Sequence, residues 1–167
     1  MMTDTQNRVQ LWDLIKDIKF AMFTTHHANG HLHGRPMTTQ NRAIDEDNTL
    51  WFFMSRRSEP VADIERDSEV NVSYSDPDKQ TYVSVSGHAD VVEDEARKRR
   101  LWSAMNEAWF PQGPDDPDVA LVRVTITHAD YWDSHDHKLV RLFEMAKAAI
   151  TGQPPRDMGD RGHVRMN

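Results

Sequence analysis

The chain has 167 residues, no cysteine, 38% hydrophobic residues and a formal net charge of -7. That length suits one domain with a buried core, and the apolar content excludes a disordered chain. The absence of cysteine excludes a disulfide framework, thiol redox chemistry and a thiolate metal site, and the acidic balance argues against nucleic acid as the main partner. Residues 1–7 hold no basic stretch leading into an apolar run, and no segment approaches membrane-spanning length. A cytoplasmic protein with no membrane partner is therefore expected.

Leu11, Leu14, Ile15 and Ile18 share one helical face and predict an amphipathic helix over 5–18. Residues 20–25 read as a strand, and Ala28-Asn29-Gly30 as a hairpin turn. A second strand over 33–44 is interrupted by Gly34 and Pro36; proline lacks a donor, which puts this strand at an edge or a bulge. After a turn at 45–48, Leu50–Met54 reads as a strand apolar on both faces. Ser58 caps a short helix with Pro60 in its first turn and Val61 and Ile64 on its inner face. Val70, Val72 and Tyr74 alternate with polar residues, as do residues 82–86, whose strand runs on through Val91.

Residues 93–109 predict a helix with Leu101, Trp102, Met105, Ala108 and Trp109 to one side, and the run Arg97–Arg100 as its solvated side. The Pro/Gly-rich stretch 111–117 is irregular. A long strand over 119–126 extends toward Trp132, and Leu139, Leu142, Phe143, Ala146 and Ile150 mark a final helix. One domain over 1–152 is expected, followed by a polar tail, 153–167, that is loose or lies against a partner subunit. Strands joined by hairpins make an antiparallel sheet, and about six suffice to curl it into a β-barrel with flanking helices.

Three segments are candidates for chemistry. Ser55-Arg56-Arg57-Ser58-Glu59-Pro60 leaves a buried strand and enters a helix, so it reads as an anion site suited to phosphate or as an ordinary capped helix. Arg35 sits beside the interruption at Pro36, aimed into a groove or lying on an edge strand. Trp102, Trp109, Phe110 and Trp132 supply rings for a planar cofactor, for the core or for a dimer contact. His26, His27, His31 and His33 surround the hairpin turn, and His135 and His137 flank Asp136. They read as exposed imidazoles, because a mobile tip does not fix a ligand geometry, and no metal site is expected. No P-loop, dinucleotide fingerprint or nucleophile elbow is present, and the catalytic residue stays unassigned.

Phe20–Thr25, Gly34-Arg35-Pro36-Met37, Leu50–Phe53, Val70–Tyr74, Tyr82–Gly87, Ala108–Pro111, Tyr131–Asp133 and Lys147–Gly152 occur in an order and spacing that resemble the bacterial general stress proteins of the pyridoxamine 5'-phosphate oxidase-like superfamily. The resemblance implies a six-stranded antiparallel split barrel, a homodimer, and FMN or FAD held between subunits. It places Arg35 at the flavin phosphate or ribityl chain and Ser58 near the phosphate. Met37, Thr38 and Gln40 would line the strand beside the ring, with Phe53, Met54 and Ser55 opposite and Trp109 and Phe110 closing over it. Where the family often has a lysine two residues after the serine, this chain has Pro60, preceded by Glu59, which leaves a phosphate pocket one cation short. The implied function is flavin binding of the general stress type, with electrons moving between NAD(P)H and a small acceptor. The alternatives are a non-catalytic flavin reservoir or sensor, and a dimeric scaffold without cofactor.

Overall fold

The chain enters its fold through a reciprocal helix cap. The Thr3 hydroxyl accepts from the Gln6 amide at 3.2 Å, and the Thr3 amide donates to the Gln6 side chain at 2.8 Å, starting α1 (Asp4–Ile15). The helix ends before Ile18, which reaches the core from a turn closed by its amide on the Ile15 carbonyl at 3.0 Å. The computed structural model describes residues 3–133, 149, 152 and 160–166. The final helix expected over 139–150 lies, apart from Ala149, outside the described residues.

Among the described residues seven strands follow: β1 (Ala21–His26), β2 (Leu32–Met37), β3 (Thr49–Ser55), β4 (Glu69–Asp76), β5 (Thr81–Val92), β6 (Val119–Asp133) and β7 (Asp160–Arg165). Between them stand α2 (Glu59–Arg66), α3 (Glu95–Leu101) and a 3-10 turn (Ala104–Ala108). Every pairing is antiparallel, in the order β2-β1-β4-β5-β6-β3, with β7 beside β6. The sheet curls without closing, and β2 and β3 are its edges: a split barrel, as the sequence predicted. Pro36 sits on edge strand β2, where its missing amide costs no ladder bond.

One strand more than expected is present. β3 takes the first half of β6, from Thr49↔Thr125 to Ser55↔Val119, and β7 takes the second half, from His128↔Arg165 to Asp133↔Asp160. The stretch read as a polar tail thus carries a strand on which Arg161 and Arg165 are exposed, while Val164 and Met166 join the core. Gly162 makes this pairing possible, because a Cβ there would lie 2.2 Å from the Tyr131 ring.

Alternation along the strands builds the core. Phe23 and Phe52 meet edge to face at 5.1 Å, surrounded by Val72, Val85, Leu50 and Val122, all fully buried. β3 is buried on both faces: Leu50, Phe52 and Met54 belong to the central core, whereas Trp51 and Phe53 form a second cluster with Val119 and Leu121 that Leu101, Trp102 and Phe110 cover.

That second cluster breaks the helix expected over 93–109. α3 stops at Leu101, and Trp102 is extended at φ -65, ψ 137. Trp102 lies 5.2 Å from Phe53 and 6.2 Å from Phe110 between ring centroids. Residues 102 and 110 of a continuous helix would be about 12 Å apart along its axis, so the chain must fold back for the two rings to meet each other and pack on the one cluster. The strand expected over 33–44 is also shorter, ending at Met37. No helix among the described residues is long and apolar enough to cross a membrane.

Candidate functional site

Because β2 and β3 do not pair along their length, the barrel leaves a cleft of about 570 Å³ between their ends and the segment leading from α3 to β6. One wall is pinned by a substitute for the missing strand. The Gln40 amide donates to the Trp51 carbonyl at 2.8 Å, the Trp51 amide to Asn41 Oδ1 at 2.7 Å, and Asn41 Nδ2 to the Thr49 carbonyl at 2.8 Å. Thus residues 40–41 satisfy the exposed edge of β3. Buried Asn106, on the 3-10 turn, donates to Gln40 Oε1 at 3.1 Å and ties the opposite wall to this one. Thr39 is held by the hydroxyl of Tyr74, whose burial pushes its phenol well above its ordinary pKa.

Of the expected site residues, Met37, Thr38, Gln40, Phe53, Met54, Ser55, Ser58, Trp109 and Phe110 all line this cleft. Sequence reasoning missed Phe20, Thr39, Arg42, Met105 and Asn106, which line it too. Phe20 directly precedes β1, Thr39 and Arg42 lie on the irregular chain after β2, and Met105 and Asn106 on the folded-back segment between α3 and β6, where the helical reading of 93–109 did not hold. Trp109 stands at the rim and is 78% exposed.

At the other end, Ser58 precedes α2 with extended backbone, yet its side chain makes no capping bond. Its Oγ is buried without a hydrogen-bond partner. Nearby, the Ser55 hydroxyl donates to Asp118 at 2.7 Å, which with help from Arg57 holds that carboxyl below the usual carboxylate range. Arg56 is engaged by Glu93 at 2.7 Å, and exposed Arg57 by Asp118 at 3.3 Å.

Arg35 is engaged by the protein's own side chains. It is absent from the cleft lining, and its guanidinium points to the β1–α2 side. There Nη1 donates to the Thr25 hydroxyl at 2.7 Å, while Nη2 lies 3.0 Å from Glu59 and 3.6 Å from Asp63. The hairpin histidines are not all free imidazoles either. His27 Nδ1 is 3.1 Å from Asp63, and His33 Nδ1 contacts Glu59. His27, Glu59 and Asp63 bring ligand-type atoms within 4.8 Å of one another. Arg35 and Arg66, the latter 3.6 Å from Asp63, already balance the two carboxylates. Pro60, where the resemblance leads one to expect a lysine, is buried in the first turn of α2.

Comparison with known proteins follows the same geometry. Protein bli-3 of Neurospora crassa is 30% identical over 148 residues, covering 81% of this chain and 69% of that protein. A structure assigned to general stress protein 26 of Jannaschia sp. CCS1 superposes with a TM-score of 0.73 at 24% identity, over 97% of this chain and 98% of the other. The general stress FMN/FAD binding protein of Xanthomonas citri gives 0.66 at 27% identity, over 80% and 92%. The family pattern described as pyridoxamine 5'-phosphate oxidase like matches residues 6–156, a span that includes the whole cleft and all strands but β7, and the chain belongs to that family.

Proposed function

We propose that the cleft binds a flavin nucleotide, FMN or FAD, and that the protein is a homodimeric flavoprotein passing electrons from NAD(P)H to a small acceptor. The observation that carries this reading is the buried, unpartnered Ser58 hydroxyl at the end of a cleft with otherwise largely apolar and aromatic walls. Such a donor calls for an acceptor supplied by a ligand, and the first turn of α2 adds free backbone amides beside it. Ser58 and the first turn of α2 would hold the phosphate, Met37, Thr38 and Gln40 one side of the ring system, and Trp109 and Phe110 its open face. When bound, the flavin supplies hydride and single-electron chemistry that the side chains lack. Among the described residues, those lining the cleft include no carboxylate, histidine, lysine or tyrosine, so their work is binding, orientation and exclusion of water. That same observation favours a second reading, a flavin reservoir without turnover.

Titrating the protein with FMN and following flavin fluorescence tests the proposal. Saturable quenching is expected, and a flat titration overturns it. Bleaching of the bound flavin by NADH separates the redox reading from the reservoir. Trp109→Ala should weaken FMN and riboflavin alike, since stacking on one aromatic side chain contributes about 1–3 kcal/mol, roughly tenfold or more in affinity. Equal binding by the variant removes Trp109 from the site.

The dimer follows from the rim. Phe20, Met105 and Trp109 are 54%, 52% and 78% exposed around the cleft mouth, an apolar surface that a second copy would cover. Sedimentation is expected to show a dimer at micromolar concentration; a monomer overturns this part.

A further inference from the structure

We propose that His27, His33, Glu59 and Asp63 form a binding site for a zinc ion that ties the β1–β2 hairpin to α2. The site goes beyond the flavin reading and requires no flavin, and none of the four residues lines the cleft. His27 Nδ1 lies 3.1 Å from Asp63 Oδ1 and 3.6 Å from Glu59 Oε1, and His33 Nδ1 contacts the same Glu59 oxygen. Donors bound to one tetrahedral zinc at about 2.0–2.1 Å stand roughly 3.3 Å from each other, so the two His27 spacings bracket the edge of a zinc tetrahedron. Two imidazole nitrogens and two carboxylate oxygens fill its four corners, the closed arrangement of a structural rather than a catalytic ion.

A hairpin tip was expected to hold no fixed ligand geometry, yet these four groups are anchored. The His27 amide donates to the His31 carbonyl at 2.8 Å, and the His27 carbonyl accepts from the Gly30 amide at 2.9 Å, which fixes the turn. His33 stands on β2 opposite Thr25 of β1. Glu59 and Asp63 are one helical turn apart on α2, so both leave the same face. Asp63 is almost fully buried, and its Oδ2 accepts from the Thr25 hydroxyl at 2.7 Å, which leaves Oδ1 turned to His27. Hydrogen bonds of that kind orient the ligands of metal sites. The surrounding charge decides which cation is taken. Arg35 stands 3.0 Å from Glu59, and Arg35 and Arg66 each stand 3.6 Å from Asp63. The two guanidiniums cancel the two carboxylates, so a hard cation held by charge and oxygen ligands, such as magnesium or calcium, gains little. Affinity must come from the imidazole nitrogens, which favours zinc.

Calorimetric titration of the protein with Zn2+ and with Mg2+ tests the proposal. Zn2+ should bind at one ion per chain and raise the melting temperature, because it binds the folded state alone, and Mg2+ should do neither. His27→Gln and Glu59→Gln should each weaken Zn2+ about a hundredfold, the upper part of the range for disturbing even the partners of a metal's ligands. Glu59 is half-exposed, so its substitution leaves the fold intact, and the melting temperature without metal reports that each variant is folded. The other close histidine pair, His128 and His163, with rings 5.6 Å apart, serves as the control, and His128→Gln/His163→Gln should bind Zn2+ as the wild type does. The inference is overturned if Zn2+ does not bind, if Mg2+ binds equally well, or if His27→Gln/His33→Gln retains the wild-type Zn2+ constant. In each of those cases the four residues form a network of ion pairs and no metal site, and the flavin reading, tested by FMN fluorescence, is untouched.

Discussion

Asp63→Ala should be among the most destabilising single substitutions in this chain, costing about 3 kcal/mol, the lower part of the range for removing one partner of a buried charged pair. Asp63 is 1% exposed, accepts from the Thr25 hydroxyl at 2.7 Å, and has His27 at 3.1 Å and Arg35 at 3.6 Å. Its loss leaves the Thr25 hydroxyl proton without its acceptor and removes one of the two carboxylates facing the Arg35 guanidinium. For a chain of this size the melting temperature should fall by roughly 6–12 °C. The effect has a defined pH dependence. Burial by itself would raise the Asp63 pKa, but the Thr25 hydroxyl, His27 and Arg35 outweigh it and hold the carboxyl below its usual range. A carboxyl depressed in the folded state stabilises fully above its unfolded pKa of about 4, and the contribution disappears as pH falls through the lower folded value. The stability gap between wild type and Asp63→Asn, measured by denaturant unfolding, should therefore be widest at neutral pH and narrow below about pH 4. A gap that stays constant down to acid pH would show that the charge of Asp63 contributes nothing.

Gly87→Ala should be comparably severe for a purely steric reason. The β5–β6 ladder shifts register between Ser86 and Gly87, and there the strands approach so closely that a Cβ on Gly87 would sit 2.3 Å from the Thr125 carbonyl oxygen and 3.1 Å from Val124. The clash is with backbone, which cannot rotate away, so β5 and β6 must separate locally. A cost of about 3 kcal/mol is expected, at the upper end for overpacking. Hydrogen exchange would locate it, with amides at 86–89 and 124–127 losing protection before the remainder of the sheet. Retention of the wild-type melting temperature would mean that the bulge can widen freely.

Much of this architecture was legible in the sequence because strand patterning is local. Alternation at Val70, Val72 and Tyr74 and along 82–91 marked β4 and β5, and Pro36 marked an edge. The doubly apolar run Leu50–Met54 correctly announced a strand covered on both faces. Nine candidate residues on three separate segments were also named before it was known that they line one cleft. What periodicity could not reveal depended on partners distant in the chain. The break at Trp102 goes with the packing of its ring and that of Phe110 on the cluster around Phe53, and β7 pairs with β6 where Gly162 leaves room for the Tyr131 ring. The cleft's walls are joined by a hydrogen bond between Asn106 and Gln40, 66 positions apart. Arg35 shows the same limit most sharply. As an arginine beside an interrupted strand it reads as aimed into a groove or as lying on an edge strand. Its carboxylate contact comes only with the folding of α2 against the hairpin, which brings Glu59 to 3.0 Å, since a long-range ion pair is set by three-dimensional proximity and leaves no period in the chain.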